Sequence, residues 1–470
     1  MNREMTPLPT TAAVRSVLAI PAGTGPRLVE SSATAVWGRL LVAVIALGWS
    51  TTLVVDFRVA LTVLWAIGLG IAVIGLRYPQ LGLLGIGMLC SLHRIAAPLL
   101  LQGGLWRWNT VNYLLLFVAL MFWRYPLGAG QRQSRVLLAF VLLLGLEILL
   151  SPDPLNGIQD VFSVVAVFGL LIYFHRVALD REAWYWLGIV TGVLAAGGIA
   201  AFLLQRSELP YVNENAWSYF PLTAIFAICL AFVVARAASR RRFVLTLLAT
   251  INAVWVFLSG SRGNILTAVV CLAFLLAVMQ LRRALLVGSV TALVGIVVVS
   301  QFTSLQERAI ARVRLLTDAR QSLTVRTNGR ADLALGAWDM FQDHPFGVGT
   351  GGFTTFWAEP RGRTTSSHFR LTHPYHAAHS AWMKVLAENG VPGILLLIAY
   401  VCSFAFSGWR TRKSNSLKVG LLVTAVLAVA WISNEFWNPG LWLLAAGGTV
   451  LLDRNSIGGA CGSAGSIARG

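Results

Sequence analysis

Charge is what this chain has least of. Only 12% of its 470 residues are Asp, Glu, Lys or Arg, about half the share found in soluble domains. So few charged groups cannot cover a chain of this length in water, and a soluble globular fold is excluded. Acids are the scarcer sign, 19 against 37 basic residues. Cysteine is sparse too: Cys90, Cys229, Cys271, Cys402 and Cys461 are scattered and none stands in a CxxC pair. That excludes a disulfide framework and a thiolate metal site. Strand-length alternation of apolar and polar residues is also missing, which excludes a membrane β-barrel. Residues 1–33 hold no apolar core followed by a cleavage site, so no cleaved signal peptide is expected and the first span acts as its own insertion signal.

What fills the chain instead is apolar sequence, 57% of all residues. It falls into runs long enough to cross a bilayer as helices. Without water, backbone groups must pair within each span. The expected fold is all-α, a polytopic transmembrane helix bundle of 12–14 spans with one large extracytoplasmic loop containing short helices. Candidate spans lie near 35–55, 58–76, 81–101, 109–123, 135–151, 161–178, 184–204, 219–237, 243–259, 264–281, 284–303, 391–409, 416–433 and 438–452.

Arginine orients these spans. With the N-terminus inside, the inner loops carry Arg77, Arg124, Arg132, Arg135, Arg176, Arg181, Arg236, Arg240–Arg242, Arg282, Arg283, Arg410, Arg412, Lys413 and Lys418. The short outer loops carry only Arg58, Arg107, Arg206 and Arg262. The net charge of +18 therefore reflects the positive-inside rule rather than a nucleic-acid partner. The expected organisation is a cytoplasmic tail over 1–33, a bundle over 34–303, a large outer loop over 304–390, periplasmic if the cell is Gram-negative, further spans over 391–452 and a cytoplasmic tail over 453–470. The chain is then a multi-pass membrane protein, with both termini cytoplasmic and membrane lipid around it.

Polar sequence concentrates between Arg326 and Gly393. Leu305 to Arg320 has the spacing of an amphipathic helix, lying on the membrane or solvated over the bundle. A helix is expected over Ala331–Asp343, with Leu333, Ala337, Met340 and Phe341 at helical spacing, stopped by Pro345. The Gly-rich turn Phe346–Phe353 allows close packing or close backbone approach to a ligand. A further helix should run from Ser380 to Asn389, end at Gly390 in a left-handed cap, and give way to a new span at Pro392.

Three residues stand out for chemistry. Arg262, between Gly260 and Gly263 at an outer membrane interface, has no acid in its own loop. Desolvating it there is costly unless it pairs or snorkels. Arginine's planar donor fork suits phosphate oxygens. Arg330 is expected at a helix start, where a cation is mildly unfavourable unless an anion binds or Asp332 pairs with it. His379 is expected at another helix N-terminus, where the dipole disfavours imidazolium. A neutral imidazole can take a proton from a hydroxyl; the alternative is a structural histidine. Arg94 is an intramembrane charge that lines a lipid path or pairs with Glu147. Arg94, Arg326, His376 and Ser380 are accessory candidates. His373, His376 and His379 recur every three residues, but Pro374 breaks a regular helix and no acid or thiol completes a ligand set, so neither metal nor other cofactor is expected.

These residues resemble the O-antigen ligase/polymerase superfamily of bacterial membrane glycan transferases. His379-Ser380, nine residues, then Gly390-Val-Pro-Gly393 is similar to its His-[Asn/Ser/Gln]-x9-Gly-x-x-Gly pattern. Ser259-Gly-Ser-Arg-Gly263 resembles its Ser-x-Ser-Arg-Gly segment. Asn328-Gly-Arg330 and His344-Pro-Phe-Gly-Val-Gly349 resemble its Gly-Arg and Pro-x-Gly-x-Gly loop. The clear similarity covers 243–395. The resemblance implies an undecaprenyl-diphosphate-linked glycan donor, Arg262 and Arg330 as diphosphate ligands, and His379 as a metal-independent activating base. The implied acceptor is lipid A-core sugar, a growing polysaccharide or a protein hydroxyl, with a ligase favoured. The rival from another class is a transporter or flippase for lipid-linked sugars, which would place functional charges near the bilayer midplane and make the outer loop dispensable.

Overall fold

The computed structural model describes residues 32–51, 57–75, 78–100, 132–177, 181–205, 214–234, 239–259, 261–278, 320–359, 376–411, 414–434 and 438–464, with a few isolated positions between them. No strand occurs among these residues. The helices are α1 Ser32–Thr51, α2 Phe57–Ile74, α3 Pro79–Leu100, α4 Arg132–Glu147, α5 Pro154–Val177, α6 Arg181–Gln205, α7 Glu214–Val234, α8 Ser239–Leu258, α9 Arg262–Val278, α10 Leu323–Thr327, α11 Arg330–Asp343, α12 Phe353–Ala358, α13 Ala381–Arg410, α14 Ser414–Ser433 and α15 Pro439–Ala464.

Among the described residues five stretches are long and apolar enough to cross a membrane: Arg132–Leu150, Pro154–Leu171, Arg240–Leu258, Ala381–Arg410 and Ser414–Ser433. Shorter apolar helices cover Ala35–Ser50, Thr62–Ile74, Leu81–Leu92, Ser218–Val234, Arg262–Val278 and Gly440–Asp453. Together they form the polytopic all-helical bundle read from the sequence. The spans expected at 109–123 and 284–303, and the surface helix expected over Leu305–Arg320, lie outside the described residues. α15 continues to Ala464, past the span end expected at 452.

Packing follows chain order for α2 on α3, α6 on α7 and α13 on α14, while α4 and α9 close on α13 and α14 respectively. A large apolar core threads these helices, with Trp184, Trp431, Tyr400 and Phe226 fully buried. A separate cluster of Leu333, Ala337, Met340, Phe353, Trp357, Ala378 and Ala387 joins α11 and α12 to the start of α13. α11 runs one residue longer than expected at its start, and it ends before Pro345 because proline cannot continue the ladder.

The Gly-rich turn is a clamp on α13. Val348 N donates to Ala387 O at 3.0 Å, Gly349 N to Glu388 O at 2.9 Å, and Val391 N to Pro345 O at 2.9 Å. The buried Glu388 side chain accepts from Phe353 N at 3.2 Å. Of the two uses the sequence allowed, close packing is the one seen. The expected left-handed cap at Gly390 is corrected: the residue has φ 56° and ψ −148°, a glycine-only region, and the helix restarts at once. The helix over 381–389 and the span that follows it therefore meet at a sharp break at Gly390. A Cβ on Gly390 would lie 2.1 Å from Pro345 O, so the clamp itself excludes a side chain there.

Candidate active site

The turn from α8 into α9 aims Arg262. Ser259 Oγ donates to Val256 O at 2.7 Å and accepts from Ser261 N at 3.2 Å, which tightens the chain just before the helix. Arg262 is the first residue of α9. Gly263 lets α9 meet the end of α14, since a Cβ would overlap Ser433 Oγ at 1.6 Å. Asn264 anchors the next position. It is buried, donates to Ser218 Oγ, and accepts from Asn434 Nδ2 at 3.3 Å.

Arg330 is aimed by a double left-handed turn. Ser322 caps α10 by accepting from Val325 N. Asn328 and Gly329 have φ of 52° and 75° and reverse the chain, so that Arg330 opens α11 as expected. Thr327 Oγ1 accepts from Ala331 N at 3.1 Å, satisfying one of the orphan amides of that helix start. Among the described residues no ion pair joins Arg330 to Asp332, and Asp332 Oδ2 is buried without a hydrogen-bond partner there.

His379 lies one residue outside the helix it was expected to open. Ser380 is the N-cap of α13; its hydroxyl donates to Trp431 O at 3.1 Å and accepts from Met383 N at 3.4 Å. Ala381 N, another orphan amide, donates to Asn434 O at 3.0 Å. Held from behind in this way, His379 adopts φ 54°, a left-handed conformation uncommon outside glycine. Its ring meets that of His376 edge to face, with centroids 4.7 Å apart. His376 in turn stacks on His373 at 5.9 Å.

These three preparations meet in one cavity of about 770 Å³. Arg262, Arg330, His379 and Ser380 all line it. Its other walls are mostly apolar, including Leu266, Ala331, Ala334, Trp382, Met383 and Ile432. No carboxylate is in the lining. Arg262 donates to the backbone carbonyl of Arg326, and Arg330 repels its charge across the space. Two arginines lining one mostly apolar cavity without a carboxylate are unfavourable alone and favour a bound anion. Arginine forks match phosphate oxygens in shape as well as sign.

The accessory candidates separate. Ser380 joins the cavity. His376 touches His379 but is not in the lining. Arg326 contributes its carbonyl to holding Arg262. The side chain of Arg94 lies outside the described residues, and Glu147 accepts a hydrogen bond from Asn389. Sequence reading missed Asn434, which ties α9, α13 and α14 together, and the buried ion pair of Lys384 with Asp160 at 2.7 Å. Asn434 did fall in the polar break between the last two spans, which was the available signal. Among the described residues no group of three or more His, Cys, Asp or Glu is arranged to hold a metal ion.

No curated protein matches the chain. A family profile does: the one described as O-antigen ligase matches residues 245–398. That range begins within α8 and ends within α13. It takes in all three of Arg262, Arg330 and His379, and close to the whole stretch that the motifs had marked. Residues 245–398 are therefore an O-antigen ligase family domain, set in a multi-pass membrane protein.

Proposed function

We propose that the cavity transfers a glycan from undecaprenyl diphosphate to an acceptor hydroxyl at the outer face of a bacterial inner membrane, in the manner of a ligase. The observation that carries this reading is the convergence of two arginines and a histidine on a space without a carboxylate. The arginines hold the diphosphate. His379 takes the proton from the acceptor hydroxyl as its oxygen attacks the anomeric carbon. The bond from that carbon to the diphosphate oxygen breaks, the carbon inverts, and undecaprenyl diphosphate leaves with its charge spread over both guanidinium groups. No metal takes part. Leu266 and Ile432, both more than a third exposed on membrane helices, give the lipid tail an apolar way in.

Orientation supports the same account. The arginine-rich loops favour a reading with both termini in the cytoplasm and the 304–390 loop in the periplasm, where lipid A-core, growing polysaccharide and protein hydroxyls are the candidate acceptors. The test is reconstitution with a defined lipid-linked glycan and separate acceptors. Transfer to lipid A-core is expected. Elongation of a second repeat unit instead would make the protein a polymerase. Movement of the donor across the bilayer without any transfer would replace the enzyme with a flippase.

A further inference from the structure

One face of α11 runs on beyond the cavity. Ala331 and Ala334 line the cavity, and an alternation of three- and four-residue steps keeps residues on one side of the helix. Trp338 and Phe341 continue the same stripe at the same alternation. The stripe changes character as it leaves the arginines. It is small beside Arg330 and aromatic further out. Trp338 is 47% exposed. Its ring lies 5.5 Å from that of Phe341, tilted by 44°. The opposite face of the helix, Leu333, Gly336, Ala337 and Met340, is buried. The loop core is therefore complete without Trp338, and it fixes the direction in which the indole stands.

We infer that Trp338, backed by Phe341, is a stacking shelf for a pyranose ring of the donor glycan, beyond the sugar joined to the diphosphate. A pyranose has an apolar C–H face and a polar rim, and an indole face carries the negative side of its quadrupole. Such a ring covers the exposed indole while its hydroxyls stay in water. Reach selects the donor. Trp338 stands about 12 Å along a rigid helix from Arg330, and the donor's sugars are covalently tied to the diphosphate that Arg330 grips. An acceptor hydroxyl must instead reach His379, which lines the cavity itself. The shelf rests on the glycan-transfer reading above.

The test compares two donors with one acceptor: lipid diphosphate carrying a single sugar, and the same lipid carrying a chain of several. Trp338→Ala should raise KM for the long donor about tenfold, the scale of uncovering one apolar ring face. KM for the single-sugar donor should stay unchanged. Trp338→Phe should recover most of the loss, and both variants should keep the wild-type unfolding temperature in detergent. Equal losses on both donors would make Trp338 an anchor on the bilayer surface, where its exposed neighbour Leu335 would accompany it, and would overturn the shelf. So would a change confined to the KM of the acceptor, or no change at all. Wild-type protein that transfers neither donor would overturn the transfer reading, and the shelf with it. Wild-type transfer with no donor discrimination in Trp338→Ala would overturn the shelf alone.

Discussion

Arg262 and Arg326 are distant in sequence, yet the guanidinium of the first donates to the backbone carbonyl of the second. That bond joins the first residue of a membrane helix to the last turn of α10, just before Asn328 and Gly329 swing Arg330 into the cavity. The bond ties the Arg262 side chain to the turn that presents Arg330, and on the proposed reading the rest of its fork is left for the diphosphate.

Lysine cannot do both. Its ammonium is a point charge without the planar fork. Arg262→Lys should therefore weaken donor binding and turnover together, by about tenfold or more for the loss of a bidentate charge-assisted pair. Donor binding and turnover in membranes with matched expression check this. Wild-type values for both would leave Arg262 as an interface anchor.

Behind the cavity wall, Lys384 pairs with Asp160 of α5 at 2.7 Å, both nearly buried. Glu388, one turn further along α13, is buried beside them. Lys384→Met would leave two acids facing each other without their cation and should destabilise the fold by about 3–5 kcal/mol. Lys384→Met combined with Asp160→Leu should recover much of that loss, because an apolar pair has no charge to strand. Thermal unfolding in detergent reads both. A single variant as stable as wild type would show that the pair does not hold the start of α13 to α5.

How much of this was legible beforehand depended on range. The helix expected over 331–343, its stop at Pro345 and the break at Gly390 are local, and residue type alone marks them. Arg262, Arg330 and His379 were legible because each breaks a local rule: a cation at a membrane interface, a cation at a helix start, a histidine beside another helix start. The bonds that bring them together were not legible. Asn434 reaches Asn264 and Ala381 across distant segments, and Lys384 reaches Asp160 the same way. A buried polar pair leaves no periodicity in either partner's own stretch. The left-handed φ of His379 was hidden for a related reason, since it is imposed by the caps at Ser380 and Asn434 and not by the histidine.

The loop should face away from the cytoplasm, because the arginine-rich loops lie on the opposite side. Ser366→Cys, in a background without native cysteines, should react with a membrane-impermeant thiol reagent in intact spheroplasts. Labelling only after lysis would reverse the orientation.

Exhaustive chelation should leave activity intact, since the account assigns leaving-group charge to arginine and proton removal to histidine. Activity lost to chelator and restored by added metal would overturn that assignment.

The central claim is that His379 moves the proton while the arginines hold the donor. General-base catalysis contributes about 10²–10⁴-fold, so His379→Ala should lose turnover on that scale with donor affinity nearly unchanged. His379→Gln keeps a hydrogen-bonding group but offers no comparable base, and should lose as much. The most direct measurement is therefore turnover and donor binding of His379→Gln side by side with wild type. The account predicts turnover lower by at least about 10² with binding within a few-fold. Near-normal turnover would make His379 a positioning group, and an equal collapse of binding would move it into the diphosphate grip and leave the reaction without its base.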